Sequence, residues 1–292
     1  MKFSRSGHAG NDPGEGTAPH DPAPHGLPVI GYRLDPGPQP PGRLSQESPL
    51  KQAVARSTGY TAQFRQGEVL QGLGRTLAEQ GHGAQAADAL RRAVLAFRAA
   101  GDKPRMAGAM TDWGVALTGT GRFDIALVAH EAALELVREL GDWRTEGIVL
   151  TNLGVALSGA KRHAEAIGAF DLAAILLTIA GAPAREAMAL DGKGRALAKL
   201  GQVDEAVTVL TSAALAFRSA GDQRHEGESL AFLGTTLRRA GRVEAAVPAF
   251  EHAVAAYRAA GDARLAGQAL DALNACARPA YSSSATADSS RS

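Results

Sequence analysis

Cysteine is all but missing. The 292-residue chain has one, Cys276, so it forms neither an internal disulfide nor a cysteine metal cluster, and nothing points to an oxidising compartment. Charge of one sign is lacking as well. Thirty-one Lys and Arg face 30 Asp and Glu, for a formal net charge of +1, which leaves no dense positive field for nucleic acid. No run approaches the roughly 18 to 20 apolar residues that span a bilayer. The opening MKFSRSGHAG leads into Pro and Gly rather than an apolar segment, which argues against a secretory signal. Aromatics are scarce at 5%, yet 45% of residues are hydrophobic, enough to bury a core. The expectation is a cytoplasmic protein with neither nucleic acid nor membrane as a partner.

Composition changes near residue 50. Ten of the 14 prolines lie in the first 50 residues, with many glycines and no helical period. Residues 1–47 therefore read as a disordered leader, because such a segment cannot bury enough apolar surface to offset ordering entropy. The P-x-x-P spacing in DPGPQPPGRL also fits a docking site for another domain. At the other end, 279–292 reads as a frayed, disordered Ser-rich tail.

Between them the chain repeats. Glycines stand at 101, 141, 181, 221 and 261, and Ala-Gly-Asp recurs at 100–102, 220–222 and 260–262. Further columns keep the 40-residue step: Leu70, Met110, Leu150, Leu190, Leu230 and Leu270; Gly74, Gly114, Gly154, Gly194 and Gly234; Leu77, Leu117, Leu157, Leu197 and Leu237; then Ala86, Ala126, Ala166, Ala206 and Ala246, and Ala93, Ala133, Ala173, Ala213 and Ala253.

Within a unit the apolar residues step by three and four, as in Leu150, Leu153, Leu157 and then Ala166, Phe170, Ala173, Leu177, which is helical spacing. Gly81, Gly121, Gly201 and Gly241 divide each unit as helix stops, whereas Lys161 breaks this rule and predicts a less ideal turn. Asp102, Asp142, Asp222 and Asp262 stand where an N-cap is needed, and Ala182 is followed by Pro183, suited to a first helical turn. Each unit is thus two antiparallel helices of about 17 residues, about 25 Å long. A glycine kept mid-helix, at a cost of about 1 kcal/mol against alanine, implies a close helix-to-helix approach, with the small alanines of the facing helix fitting the same reading. A lone unit cannot hide its apolar face, so the units must stack. Pro248 falls inside the last second helix and predicts a late start or distortion near Glu244.

These columns resemble the tetratricopeptide repeat. Leu150-x2-Leu153-Gly154-x2-Leu157 with Ala166-x3-Phe170-x2-Ala173, and Leu230-x2-Leu233-Gly234-x2-Leu237 with Ala246-x3-Phe250-x2-Ala253, follow its pattern. The departures are the 40-residue unit, His130 at an apolar position and Lys193 in the Leu153 column. The longer unit is similar to the arrays of kinesin light chains and of actinobacterial signal-transduction regulators. The resemblance implies an all-α, right-handed α-solenoid of stacked antiparallel helix pairs over 61–278, five pairs plus a C-terminal capping helix. A degenerate capping helix is expected at 48–60, where Leu50, Ala53 and Val54 fall in second-helix columns.

No constellation for chemistry emerges. Gly192-Lys193-Gly194 lacks the Ser or Thr and the earlier Gly of a phosphate loop. The eight histidines are scattered, with no H-E-x-x-H. His130 is expected as a half-buried, hydrogen-bonded residue, Trp113 as core, Trp143 as packed on the end of the preceding helix with an exposed anchor as the alternative, and Cys276 as an inert thiol. The chain reads as a non-enzymatic protein with no cofactor, metal or catalytic residue. If the resemblance holds, first helices line a concave groove bearing Thr111, Asp112, Val115, Thr151, Asn152, Asp191, Arg195, Lys199, Phe232, Thr235, Arg238 and Arg239. Its C-terminal half is basic around one aromatic, a seat for an acidic peptide or helix, although the same charges could serve only to keep the array soluble. Of the carboxylate clamp of chaperone-binding relatives, only Asn152 fits. The expected function is a protein–protein interaction scaffold, the alternative a sensory or regulatory module of a bacterial signal-transduction or transcription-control system.

Overall fold

A computed structural model describes the backbone over 49–277 and the side chains over 57–276; the leader and the tail lie outside the described residues. The described chain forms eleven helices: α1 (Pro49–Glu79), α2 (Gly83–Ala100), α3 (Lys103–Gly119), α4 (Phe123–Leu140), α5 (Trp143–Gly159), α6 (His163–Ile179), α7 (Pro183–Lys199), α8 (Val203–Ser219), α9 (Gln223–Arg239), α10 (Val243–Ala259) and α11 (Ala263–Ala277). Each packs on the next, giving antiparallel pairs α1/α2 to α9/α10, with α11 laid on α10. The odd helices also touch one another in series, α1 to α3 and so on to α11, whereas no two even helices meet. The odd helices are therefore the inner layer of a curved stack, and the even helices the outer one.

Turn chemistry sets this regularity. A left-handed residue recurs every 20 positions: nine glycines from Gly81 to Gly261 have positive φ, and Lys161 (φ 64°) fills the missing place. At Gly101 the amide donates to the Arg98 carbonyl and the Asp102 amide to that of Phe97 (both 3.0 Å), a Schellman stop. Lys161 and Arg162 make the same pair of bonds, to Ser158 and Leu157. The expected irregularity is thus absent from the hydrogen bonding and sits instead in the backbone conformation of a residue with a Cβ. Asp102, Asp142, Asp222 and Asp262 accept the amides of Arg105, Thr145, His225 and Leu265, which starts α3, α5, α9 and α11.

Both alanine columns are wholly buried. The glycine column marks a close approach, but its visitor is not the facing alanine. A Cβ on Gly154 would lie 2.7 Å from Cε1 of Phe170, one on Gly194 2.6 Å from Cγ of Leu210 and one on Gly234 2.9 Å from Cε1 of Phe250. A second set, Gly67, Gly147 and Gly227, is covered likewise by Phe97, Leu177 and Tyr257. Gly267 on α11 meets nothing, since among the described residues no helix follows to cover it.

Four expectations are corrected. The short helix at 48–60 is not separate: Thr61 and Ala62 replace the Gly and Asp that break the chain elsewhere, so α1 runs on for 31 residues. Pro248 does not delay α10, which begins at Val243 with its Ala246 amide bonded to the Arg242 carbonyl like its counterparts; the ring sits on the exposed face, where water can serve the Glu244 carbonyl. Trp143 is exposed rather than packed. His130 is fully buried, and neither ring nitrogen has a partner, because it occupies the column of Leu90, Phe170, Leu210 and Phe250, lying over Gly114 in an apolar layer. Trp113 packs against the core.

Candidate functional site

The inner layer exposes the stripe of each odd helix that neither its pair mate nor its neighbours cover. Hollows open between successive members: a crevice of about 20 Å³ between α5 and α7, lined by Ile148, Thr151, Asn152, Arg185 and Met188; one of about 220 Å³ between α7 and α9; and one of about 330 Å³ between α9 and α11. Phe232 lines both larger ones. Along the middle of the array Val115 and Val155 stand half-exposed on the same surface.

Several of the expected groove residues turn out to tie units together. Asp112 accepts from Gln71 Nε2 (2.7 Å) and Arg75 Nε (2.8 Å), binding α3 to α1. Asp191 pairs with Arg195 one turn along α7 and accepts from the buried Ser229 hydroxyl (2.6 Å), binding α7 to α9. Thr111 and Thr151 are buried, their hydroxyls donating to the carbonyls of Ala107 and Gly147. The Thr235 hydroxyl is satisfied by Ala231 in its own helix.

A smaller set remains open. The Arg195 guanidinium lies 4.6 Å from the Phe232 ring centroid, which fixes the ring between the two hollows. Lys199 and Arg239 are exposed, line the α7–α9 hollow with Phe232 and Thr236, and have no ion-pair partner among the described residues. Arg238 leans the other way, 6.0 Å from the Phe250 centroid. Lys199, Arg238 and Arg239 end α7 and α9, so they also offset the carbonyl ends of those helices. Among the described residues no cluster of His, Cys, Asp and Glu could hold a metal ion, and no helix is long and apolar enough to cross a membrane.

Residues 105–174 and 185–259 match the family model of the tetratricopeptide repeat. The chain is a tetratricopeptide-repeat protein. Its fold is similar to aspartyl phosphate phosphatase F from Bacillus subtilis (12% identity, 80% of this chain and 66% of that one, TM-score 0.65). It is similar also to a Rap protein complexed with competence and sporulation factor (15%, 73% and 65%, TM-score 0.61). A third neighbour is a signal transduction ATPase with a tetratricopeptide repeat sensor from Pyrococcus horikoshii (18%, 73% and 33%, TM-score 0.59). The chain spans less than two thirds of the Rap protein and a third of the ATPase, and at these identities the likeness is one of fold. No curated protein matches the sequence. A tetratricopeptide array is a protein–protein interaction scaffold, and such arrays are in general not enzymes.

Proposed function

We propose that the scaffold takes an acidic peptide or helix in its concave groove, seated at the C-terminal half. The observation that carries this is the environment of Phe232: an aromatic ring held by Arg195 between two hollows, with Lys199 and Arg239 unpaired beside one of them. An aliphatic side chain of the ligand fills the α7–α9 hollow, and carboxylates flanking it meet the two cations. Burying an apolar anchor beside charges that begin without partners is how a few residues come to dominate an interface. Asp112, Asp191 and Arg195 act as frame, and Asn152 lines the narrower crevice nearer the middle.

Selection from a displayed random-peptide library tests this. The full chain should enrich sequences with one bulky aliphatic residue flanked by Asp or Glu. Phe232→Ala should abolish the enrichment, and Lys199→Ala/Arg239→Ala should remove the acidic bias while leaving the aliphatic one. Enrichment unchanged in both variants would refute the site.

A second reading has one specific support. The solved neighbours include a tetratricopeptide sensor within a signal transduction ATPase and a Rap protein complexed with competence and sporulation factor. On that reading the chain is the sensory or regulatory module of a bacterial signalling or transcription-control system, and groove occupancy controls an effector.

A further inference from the structure

The outer layer holds a feature that the groove does not use. Helix α6, HAEAIGAFDLAAILLTI, is apolar on nearly every side, although its outer face has no neighbour among the described residues. Ala164, Gly168, Leu172, Ile175 and Ile179 follow one another at steps of four, four, three and four, so they form a single stripe. All five are exposed, with Leu172, Ile175 and Ile179 at 52%, 56% and 58%. Every other even helix interrupts these columns with polar residues or proline: Asp88 and Arg92; Asp124, Glu135 and Glu139; Asp204, Thr208, Ser212 and Ser219; Glu244, Pro248 and His252. A helix apolar all round belongs in an interior, and the described residues do not supply one.

We infer that α6 pairs antiparallel with α6 of a second copy across a two-fold axis. Four members of the stripe are symmetric about a point between Asp171 and Leu172, and the fifth, Leu172, falls opposite Asp171 of the second copy. Ala164 and Ile179 are equally distant from it, and so are Gly168 and Ile175. An antiparallel crossing there sets each small residue opposite a large one, and each contact occurs twice, as an isologous interface requires. Gly168 gains a reason by this: a Cβ on it would meet nothing among the described residues, so packing among them does not demand glycine. Asp171, beside the axis, carries its own cation, Lys193 Nζ at 2.6 Å, so two like charges do not meet bare. The three large side chains expose about 300 Å² of apolar surface per copy, the scale of a functional patch. Two copies together fall in the small, reversible class of interface, so dimer and monomer exchange.

Sedimentation equilibrium of the full chain from about 1 to about 200 µM tests the pairing. Wild type should pass from monomer to dimer over that range. Leu172→Glu and Ile175→Glu should be monomeric throughout, with unchanged helical circular dichroism. Gly168→Leu should weaken the dimer at least about tenfold, although it adds apolar surface. Leu172→Cys in a Cys276→Ser background should form a disulfide-linked dimer on mild oxidation. A wild type monomeric at every concentration overturns the inference and leaves the face to a different partner. A tighter dimer in Gly168→Leu overturns it too, because an unspecific apolar patch gains from added leucine and a small-against-large fit does not.

Discussion

His130→Leu should stabilise the array, and by more at pH 5 than at neutral pH. The side chain is 0% exposed, and both ring nitrogens are buried without a partner. Burial pushes its pKa down from 6.5 to about 4. At neutral pH the cost is that of an unmet donor and acceptor in an apolar layer, about 1–3 kcal/mol. Leucine already fills the same column in α2 and α8, where Leu90 and Leu210 lie over Gly74 and Gly194, so the substitution fits a shape the fold uses twice.

The pH dependence follows from the sign of the shift. The folded state binds its proton more weakly than the unfolded state, so the unfolded state gains protons first as pH falls. Stability is complete above the unfolded value of 6.5, declines below it, and stops declining once the folded ring is charged near 4. Two and a half pKa units come to about 3 kcal/mol in full, of which about 2 is already lost at about pH 5. Carboxylates held below their usual range, such as Asp142 through the Thr145 hydroxyl and amide, lose stability in the same direction at lower pH. Variant and wild type share them, so they cancel in the difference. Urea unfolding followed by Trp113 and Trp143, in the helices on either side of α4, reads the central units directly. A difference between the two proteins that stays constant from about pH 7.5 to about pH 5 would refute the reasoning.

Three further outcomes are expected. Gly154→Leu should cost about 1–3 kcal/mol or more in thermal unfolding, since Phe170 already occupies the space a side chain would need; an unchanged melting temperature would mean the ring can move aside freely. Lys161→Gly should raise stability by about 1 kcal/mol by relieving the single non-glycine residue with positive φ among the described residues, and Lys161→Ala should not. Pro248→Ala should raise hydrogen-exchange protection across 244–259, by up to about 3 kcal/mol locally, as it restores the bond to the Glu244 carbonyl. In wild type the C-terminal pair and α11 should exchange before the central units.

Much of this architecture was legible because it is periodic. A column that repeats every 40 residues declares which side chains share an environment, and the Asp caps, glycine stops and alanine contacts each needed only that. Relations between columns were less visible. The ties Gln71–Asp112 and Asp191–Ser229 span 41 and 38 residues, one step beyond and two steps short of the period. A reading by column therefore placed Asp112 and Asp191 on the groove wall without their partners. The second glycine set escaped because alanine replaces it in two units, Ala107 and Ala187. His130 was recognised as a departure, but its company was not: only the packed structure reveals that neither ring nitrogen finds a partner. The missing break at 61 could have been read from Thr61 and Ala62, had the loss of both turn signals been taken as continuity.

The departures from the repeat sort by the face on which they fall. Lys161, His130 and Pro248 act within the chain, on turn conformation, core polarity and a backbone bond, and each carries a cost that a single substitution should recover. Phe232, Lys199, Arg239 and the α6 stripe break the pattern at the surface, where Phe232 gives part of its ring to the core and the other side chains stand exposed. Apolar area left in water stabilises nothing, and cations without partners forgo the pairing that Arg195 obtains from Asp191 one turn away. A fold that can fill its own columns as regularly as this one has no internal need for such exceptions. Their two locations, the inner layer at α7–α9 and the outer face of α6, are therefore where contacts from outside the chain are expected, and they lie on opposite layers, so that one can be occupied without displacing the other.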